Sequence, residues 1–257
     1  MNLADHYLKE SGSLFVEGRI DEAIAACDLG LQIAPADARL WSNKGVFLGL
    51  QGRNDDALQC IDRALELDPG NASYWANRCS PLENLNRIEE QIACWQLVLS
   101  LSPGGGEVAW FNIGCCLFDL GRYAEAVRAF DWELLLCPLN AECHLEKGIA
   151  LKRLGRIEEA IACYDKHLEI DPSSVPGWKN KEIALLALRR YEEAIDCCER
   201  ALRLDCTDRQ RLDLLNDKAC ALAALNRCGE ALECHDFALT LNPKHALNLQ
   251  KQGPPVA

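Results

Sequence analysis

The stretch Trp41–Pro69, WSNKGVFLGLQGRNDDALQCIDRALELDP, holds two amphipathic helical patterns separated by the polar break Gln51-Gly52-Arg53-Asn54. Trp41, Gly45, Leu48, Gly52, Ala57, Ile61, Ala64 and Pro69 mark a pattern that returns along the chain every 34 residues. Extending that frame gives seven copies: 4–37, 38–71, 72–105, 107–140, 141–174, 175–208 and 212–245. Only Gly106 and the trio Arg209-Gln210-Arg211 are inserted, both expected between copies. Position 32 is proline in six copies, where it stops the second helix. Position 20 is alanine in six, where two helices must approach closely, and positions 21 and 28 are apolar in all seven. Gly18, Gly52, Gly121 and Gly155 fall at the turn between the two helices, with Asn86 and Asn226 as the residues that next best tolerate a left-handed backbone.

These residues and their spacing resemble the tetratricopeptide repeat, a helix–turn–helix unit of 34 residues. The resemblance covers residues 4–245 and implies an all-α fold: an α-solenoid of seven antiparallel helix-pair repeats forming a right-handed superhelix. First helices would line the concave side and second helices the outside. The tail 246–257 is a candidate short cap over Leu232 and Leu239, which in the last copy occupy the positions that face a following unit. Such an array implies a surface for gripping another chain, not a reaction centre.

The net charge of −12 argues against a nucleic-acid partner, since phosphate binding depends on clustered Lys and Arg. Much of the acidity has a structural reason: Asp21-Glu22, Asp55-Asp56, Glu89-Glu90, Glu158-Glu159 and Glu192-Glu193 all open second helices, where carboxylates offset the positive end of the helix dipole. No window has the roughly 20 apolar residues of a membrane helix, and the first residues do not read as a signal peptide. A cytoplasmic location is the expectation. The fifteen cysteines lack the close spacing of zinc sites. Cys60, Cys94, Cys163, Cys197 and Cys234 share position 23 on the second helix, which suits small buried side chains better than a metal or a thiol sensor. No metal or cofactor is expected.

Two places depart from the pattern. Copy 3 has Cys79 at the small position 8, Gln91 in place of alanine, and Pro81 inside its first helix, followed by the run Gly104-Gly105-Gly106. A kink that frees the Asn77 carbonyl, and a flexible joint, are the expectations there. Copies 4 and 5 place Glu133 and His167 at position 27, usually small, where a structural pair is expected.

Function would sit on the first helices. Position 6 reads Lys9, Asn43, Asn77, Asn112, Glu146, Asn180 and Asp217. A carboxamide both donates and accepts, so Asn43, Asn77, Asn112 and Asn180 could grip the backbone of an extended peptide. The row is similar to the asparagine ladder in the repeat domain of O-linked N-acetylglucosamine transferase, and it is broken at Glu146 and Asp217. Arg39, Ser80, Phe111, Phe118, Lys152 and Lys179 stand near it as candidates for side-chain readout. The carboxylate clamp by which some repeats of this family bind chaperone tails fits no register of this chain, and no phosphate loop, nucleophile elbow or HExxH motif is present. The expected function is therefore a non-enzymatic scaffold for a protein or peptide ligand. The alternatives are an assembly unit that forms a homo-oligomer through its C-terminal end, and a thiol-based sensor.

Overall fold

The computed structural model describes residues 3–102 and 106–241, and all regular structure among them is helical. Repeat 1 is α1 (Leu3–Val16) and α2 (Ile20–Ile33); repeat 2 is α3 (Ala38–Leu50) and α4 (Asn54–Leu67). Repeat 3 is α5 (Ala72–Asn84) and α6 (Ile88–Leu101), and repeat 4 is α7 (Gly106–Asp119) and α8 (Tyr123–Leu136). Repeat 5 is α9 (Ala141–Arg153) and α10 (Ile157–Ile170), and repeat 6 is α11 (Val175–Ala187) and α12 (Tyr191–Leu202). Repeat 7 is α13 (Asp208–Ala224) and α14 (Cys228–Leu241). The chain divides into two compact units, residues 1–137 and 138–257. Each is an α-solenoid of antiparallel helix pairs, and each first helix packs on its own second helix and, within its unit, on the helix before it.

Local sequence explains where these helices begin. Asp37, Asn71, Asn140 and Ser174 accept a backbone N–H from the start of α3, α5, α9 and α11. Second helices are opened differently. An arginine precedes each of them, and Arg19, Arg53, Arg87, Arg122, Arg156, Arg190 and Arg227 reach the acid three residues on at 2.5–2.7 Å. In five repeats that acid belongs to the pairs read from the sequence as dipole partners, and Glu125 and Glu230 take the same part in repeats 4 and 7. The turn residue has φ between 56° and 77° throughout: Gly18, Gly52, Asn86, Gly121, Gly155, Asn226 and, in repeat 6, Arg189. A bulky residue there works against the backbone preference of L-amino acids.

Packing inside a repeat follows a size rule. A Cβ at Gly148 would lie 2.8 Å from Cδ1 of the fully buried Tyr164, and one at Gly114 would lie 2.6 Å from Cδ1 of Phe130. Where repeat 6 puts the large Glu182 at the glycine position, the opposing residue is the small Cys198. Neighbouring repeats obey a second rule of the same kind. Gly30 accommodates Leu40, whose Cδ1 would be 2.7 Å from a Cβ there; in repeats 5 and 6 the sizes are exchanged, and Gly177 accommodates His167. That exchange explains a histidine where a small residue is usual. His167 meets the Ala141 carbonyl through Nδ1 at 2.9 Å.

Polar contacts fix the register between repeats. Lys44 reaches Asp28 at 2.6 Å, Arg78 reaches Asp62 at 2.7 Å, Lys181 reaches Asp165 at 2.6 Å and Lys218 reaches Glu199 at 2.8 Å. All four join position 7 of one repeat to position 25 of the one before. The tryptophans and prolines are partners as well: the indole N–H of Trp41, Trp75 and Trp178 donates to the carbonyl of Pro35, Pro69 and Pro172 at 2.9–3.0 Å. His144 replaces tryptophan in repeat 5 and meets the Pro138 carbonyl through Nε2 at 3.0 Å. Its imidazole is held below the ordinary histidine value, chiefly by burial. A neutral ring donating Nε2–H satisfies both observations.

Two expectations need correction. Arg209-Gln210-Arg211 does not lie between helices: it adds a turn to the start of α13, which runs 17 residues. Position 32 of repeat 6 is Cys206 rather than proline, α12 ends early at Leu202, and Thr207 opens α13 through a capping box with Gln210. Gly106 is likewise the first residue of α7, not a spacer. Pro81 does not break α5, which is continuous from Ala72 to Asn84; the ring is buried, 3.6 Å from where a Cβ on Gly49 would stand. Gly104, Gly105, Pro243 and the candidate cap 246–257 lie outside the described residues.

Candidate functional site

Position 6 of the first helices carries the candidate row, and its members differ in what they already hold. Asn43 makes no side-chain hydrogen bond among the described residues and is half-buried. Asn77 donates Nδ2–H to Ser42 Oγ at 3.0 Å, which links repeat 3 to repeat 2. Asn112 donates Nδ2–H to the Val108 carbonyl of its own helix at 2.7 Å. In both, the carboxamide N–H anchors the side chain and leaves Oδ1 as an acceptor. The three belong to consecutive repeats of one compact unit.

Asn180, in the other unit, is committed at both ends. Its Nδ2 donates to the Pro176 carbonyl at 3.1 Å and its Oδ1 accepts from Lys152 Nζ at 3.0 Å. Lys179 pairs with Asp217 and stands 3.2 Å from Glu182, so its charge is already partnered within the fold. Glu182 is fully buried, and neither of its oxygens has a hydrogen bond. Burial pushes its carboxyl above the ordinary range, against the pull of Lys179 and Lys152. Burial, with Arg153 alongside, pushes the Lys152 ammonium below the usual lysine value. Beside this cluster a cavity of about 250 Å³ opens among Val175, Lys179, Asn180, Gln210 and Leu214. Gln210 reaches it from the added turn of α13, a position that the 34-residue frame leaves out.

The other candidates are tied to the fold. Arg39 bonds Asp37 and, across 34 residues, Asp5 at 2.9 Å, clamping repeat 2 to repeat 1. Phe111 packs on Phe130 with ring centroids 6.0 Å apart, and Phe118 meets Tyr123 edge-on at 5.1 Å. Both rings thus lean on the second helix of their own repeat. The five cysteines of position 23 are buried, in keeping with a packing role. Among the described residues, no helix is long and apolar enough to cross a membrane, and no group of three or more His, Cys, Asp or Glu is placed to hold a metal ion.

Comparison with known proteins agrees with the helix pairs. Tetratricopeptide repeat models match residues 38–71, 141–174, 108–131 and 178–210. The chain carries tetratricopeptide repeats, units that build protein-interaction scaffolds. No curated protein sequence matches it. Among solved structures it is similar to the C-terminal part of a repeat protein from Cytophaga hutchinsonii, at 14% identity, over 92% of this chain and 95% of that one, with a TM-score of 0.82. It is also similar to YrrB, described as having an unusual peptide-binding site, at 20% identity over 78% and 98% of the two chains, with a TM-score of 0.61. MamA of Desulfovibrio magneticus is similar at 17% identity over 65% and 94%, with a TM-score of 0.61. At these identities the likeness shows the fold.

Proposed function

We propose that the chain is a non-enzymatic scaffold that holds an extended peptide or a partner helix along its first helices, with Asn43, Asn77 and Asn112 as the principal contacts. The observation that carries this is one carboxamide at the same position of three consecutive repeats, each with Oδ1 unpaired among the described residues. Packed helices lie about 8–10 Å apart and an extended chain rises about 3.3 Å per residue. The row therefore meets a peptide at about every third residue and accepts its backbone N–H groups with little regard to side chain. The similarity to YrrB supports the reading. Asn180, Lys152 and Lys179 join only by exchanging an internal partner for a ligand group, while Arg39 and Phe111 flank the row. Affinity capture from a lysate, with the wild type and the Asn43, Asn77 and Asn112 triple change to Ala, tests this. Partners lost with the triple variant support the row; partners retained by both remove it.

A second reading has its own observation. Leu232 is 63% exposed and Leu239 is also exposed, while Leu58, Ile161 and Ile195 at the position of Leu232 are buried. This favours assembly of copies through the end of α14. Concentration-dependent mass that Leu232→Asp abolishes supports it; a monomer at every concentration refutes it.

A further inference from the structure

Repeat 3 opposes two thiols. Cys79 on α5 takes the position where Gly45, Gly114 and Gly148 let a second helix close in, and Cys94 on α6 belongs to the cysteine row. They are 3% and 1% exposed and pack in one cluster with Leu58 and Leu82. Arg78 Nη1 stands 3.5 Å from Cys94 Sγ, and its guanidinium is itself held by Asp62 at 2.7 Å and Glu90 at 3.5 Å. Cys79 Sγ–H also reaches the Trp75 carbonyl at 3.4 Å, a weak hydrogen bond because the thiol is a weak donor. In the other repeats that carry a cysteine of the row, the position of Cys79 is held by Gly45, Gly148, Glu182 and Ala219, none of them a thiol.

The neighbouring Cys79 thiol, and then Arg78, bring the Cys94 thiol down to about 7, while Cys94 and burial push Cys79 up. A thiolate beside a protonated thiol is the arrangement from which a nucleophilic and a resolving sulfur can act in turn. We propose that Cys79 and Cys94 form a reversible oxidation site that a hydroperoxide closes to a disulfide within repeat 3. The Cys94 thiolate attacks hydrogen peroxide: an S–O bond forms, the O–O bond breaks, and the departing hydroxide takes up a proton as water. The Cys79 sulfur, losing its proton, then attacks the sulfenic acid; the S–S bond forms, the S–O bond breaks, and the leaving hydroxide becomes the second water. Two thiols and one peroxide give one disulfide and two waters, and a dithiol reductant reverses the change. The site stands two residues from Asn77 on α5 and does not depend on what the carboxamide row binds.

Peptide mapping of the full, reduced chain after limiting hydrogen peroxide tests this. Trypsin releases Cys79 in residues 79–87 and Cys94 in residues 88–122 together with Cys115 and Cys116, so fragmentation assigns the bridge. A 79–94 bridge as the first product supports the proposal. Cys79→Ser should then leave a sulfenic acid on Cys94 that dimedone labels, and Arg78→Met should slow bridging roughly fivefold at neutral pH, because the fall in thiolate outweighs its gain in nucleophilicity. Oxidation of the exposed Cys220 and Cys228 while Cys79 and Cys94 stay reduced overturns it. So does a rate unchanged in Arg78→Met, with helicity measured to show that the variant is folded.

Discussion

Gly148→Ala isolates the size rule within a repeat. The new methyl would stand 2.8 Å from Tyr164 Cδ1 and closer still to Cε1, and the ring is fully buried. Overpacking of this kind costs about 1–3 kcal/mol, and alanine in a helix interior offsets about 1 kcal/mol relative to glycine. The net expectation is a loss of about 1 kcal/mol. In a Tyr164→Ala background the ring is gone, so the same change keeps only the propensity gain and should stabilise by about 1 kcal/mol. The sign reverses, and the coupling energy equals the overpacking term, about 1–3 kcal/mol. Urea unfolding of the four proteins, followed by far-UV circular dichroism, measures it. Hydrogen exchange at the α9 and α10 amides reads the same coupling locally, since repeat arrays unfold in parts. Equal effects of Gly148→Ala in the two backgrounds would refute the size rule.

Arg189→Gly should stabilise repeat 6 by about 1 kcal/mol, because φ is 58° at the turn and glycine adopts it freely; a thermal midpoint no higher than the wild type's counts against this. His144 is depressed in the folded state, so its contribution is present above the unfolded histidine value and lost as pH falls below it. His144→Trp, which restores the usual donor to the Pro138 carbonyl, should flatten stability between about pH 7 and 5.5. Glu182 has the opposite sign: its folded value is raised, so its cost is absent below the unfolded carboxylate value and grows as pH rises. Glu182→Met, of similar volume, should stabilise at pH 7 by about 1–4 kcal/mol and leave stability nearly unchanged near pH 4, a difference that denaturant unfolding at the two pH values reads directly.

The helix pairs were legible because Ala57, Pro69 and Gly52 each mark a local event: a close approach, a stop and a turn. What packing decides was not. Trp41 and Pro35 read as separate signatures, and only the folded chain shows the indole bonded to that carbonyl. Lys44 and Asp28 lie on different repeats, so their pairing emerges once neighbouring helices are in register. The frame treated Arg209–Arg211 as a spacer, although residues inserted beside a helix start can simply lengthen it, and the Thr207–Gln210 capping box was the available sign. In the candidate row, sequence gave the common position but not the prior commitments. Asn180 looked equivalent to Asn77 until Lys152 was found on its oxygen.

The central claim is that ligand lies along the first helices of repeats 2–4. A photo-crosslinking side chain at Ser80, on α5, and separately at Gln59, exposed on α4, tests it in lysate. Crosslinks from Ser80 that vanish in the Asn43, Asn77 and Asn112 triple variant, with none from Gln59, are the predicted result. Crosslinks from Gln59 alone, or from Ser80 but unchanged in the triple variant, would contradict the account.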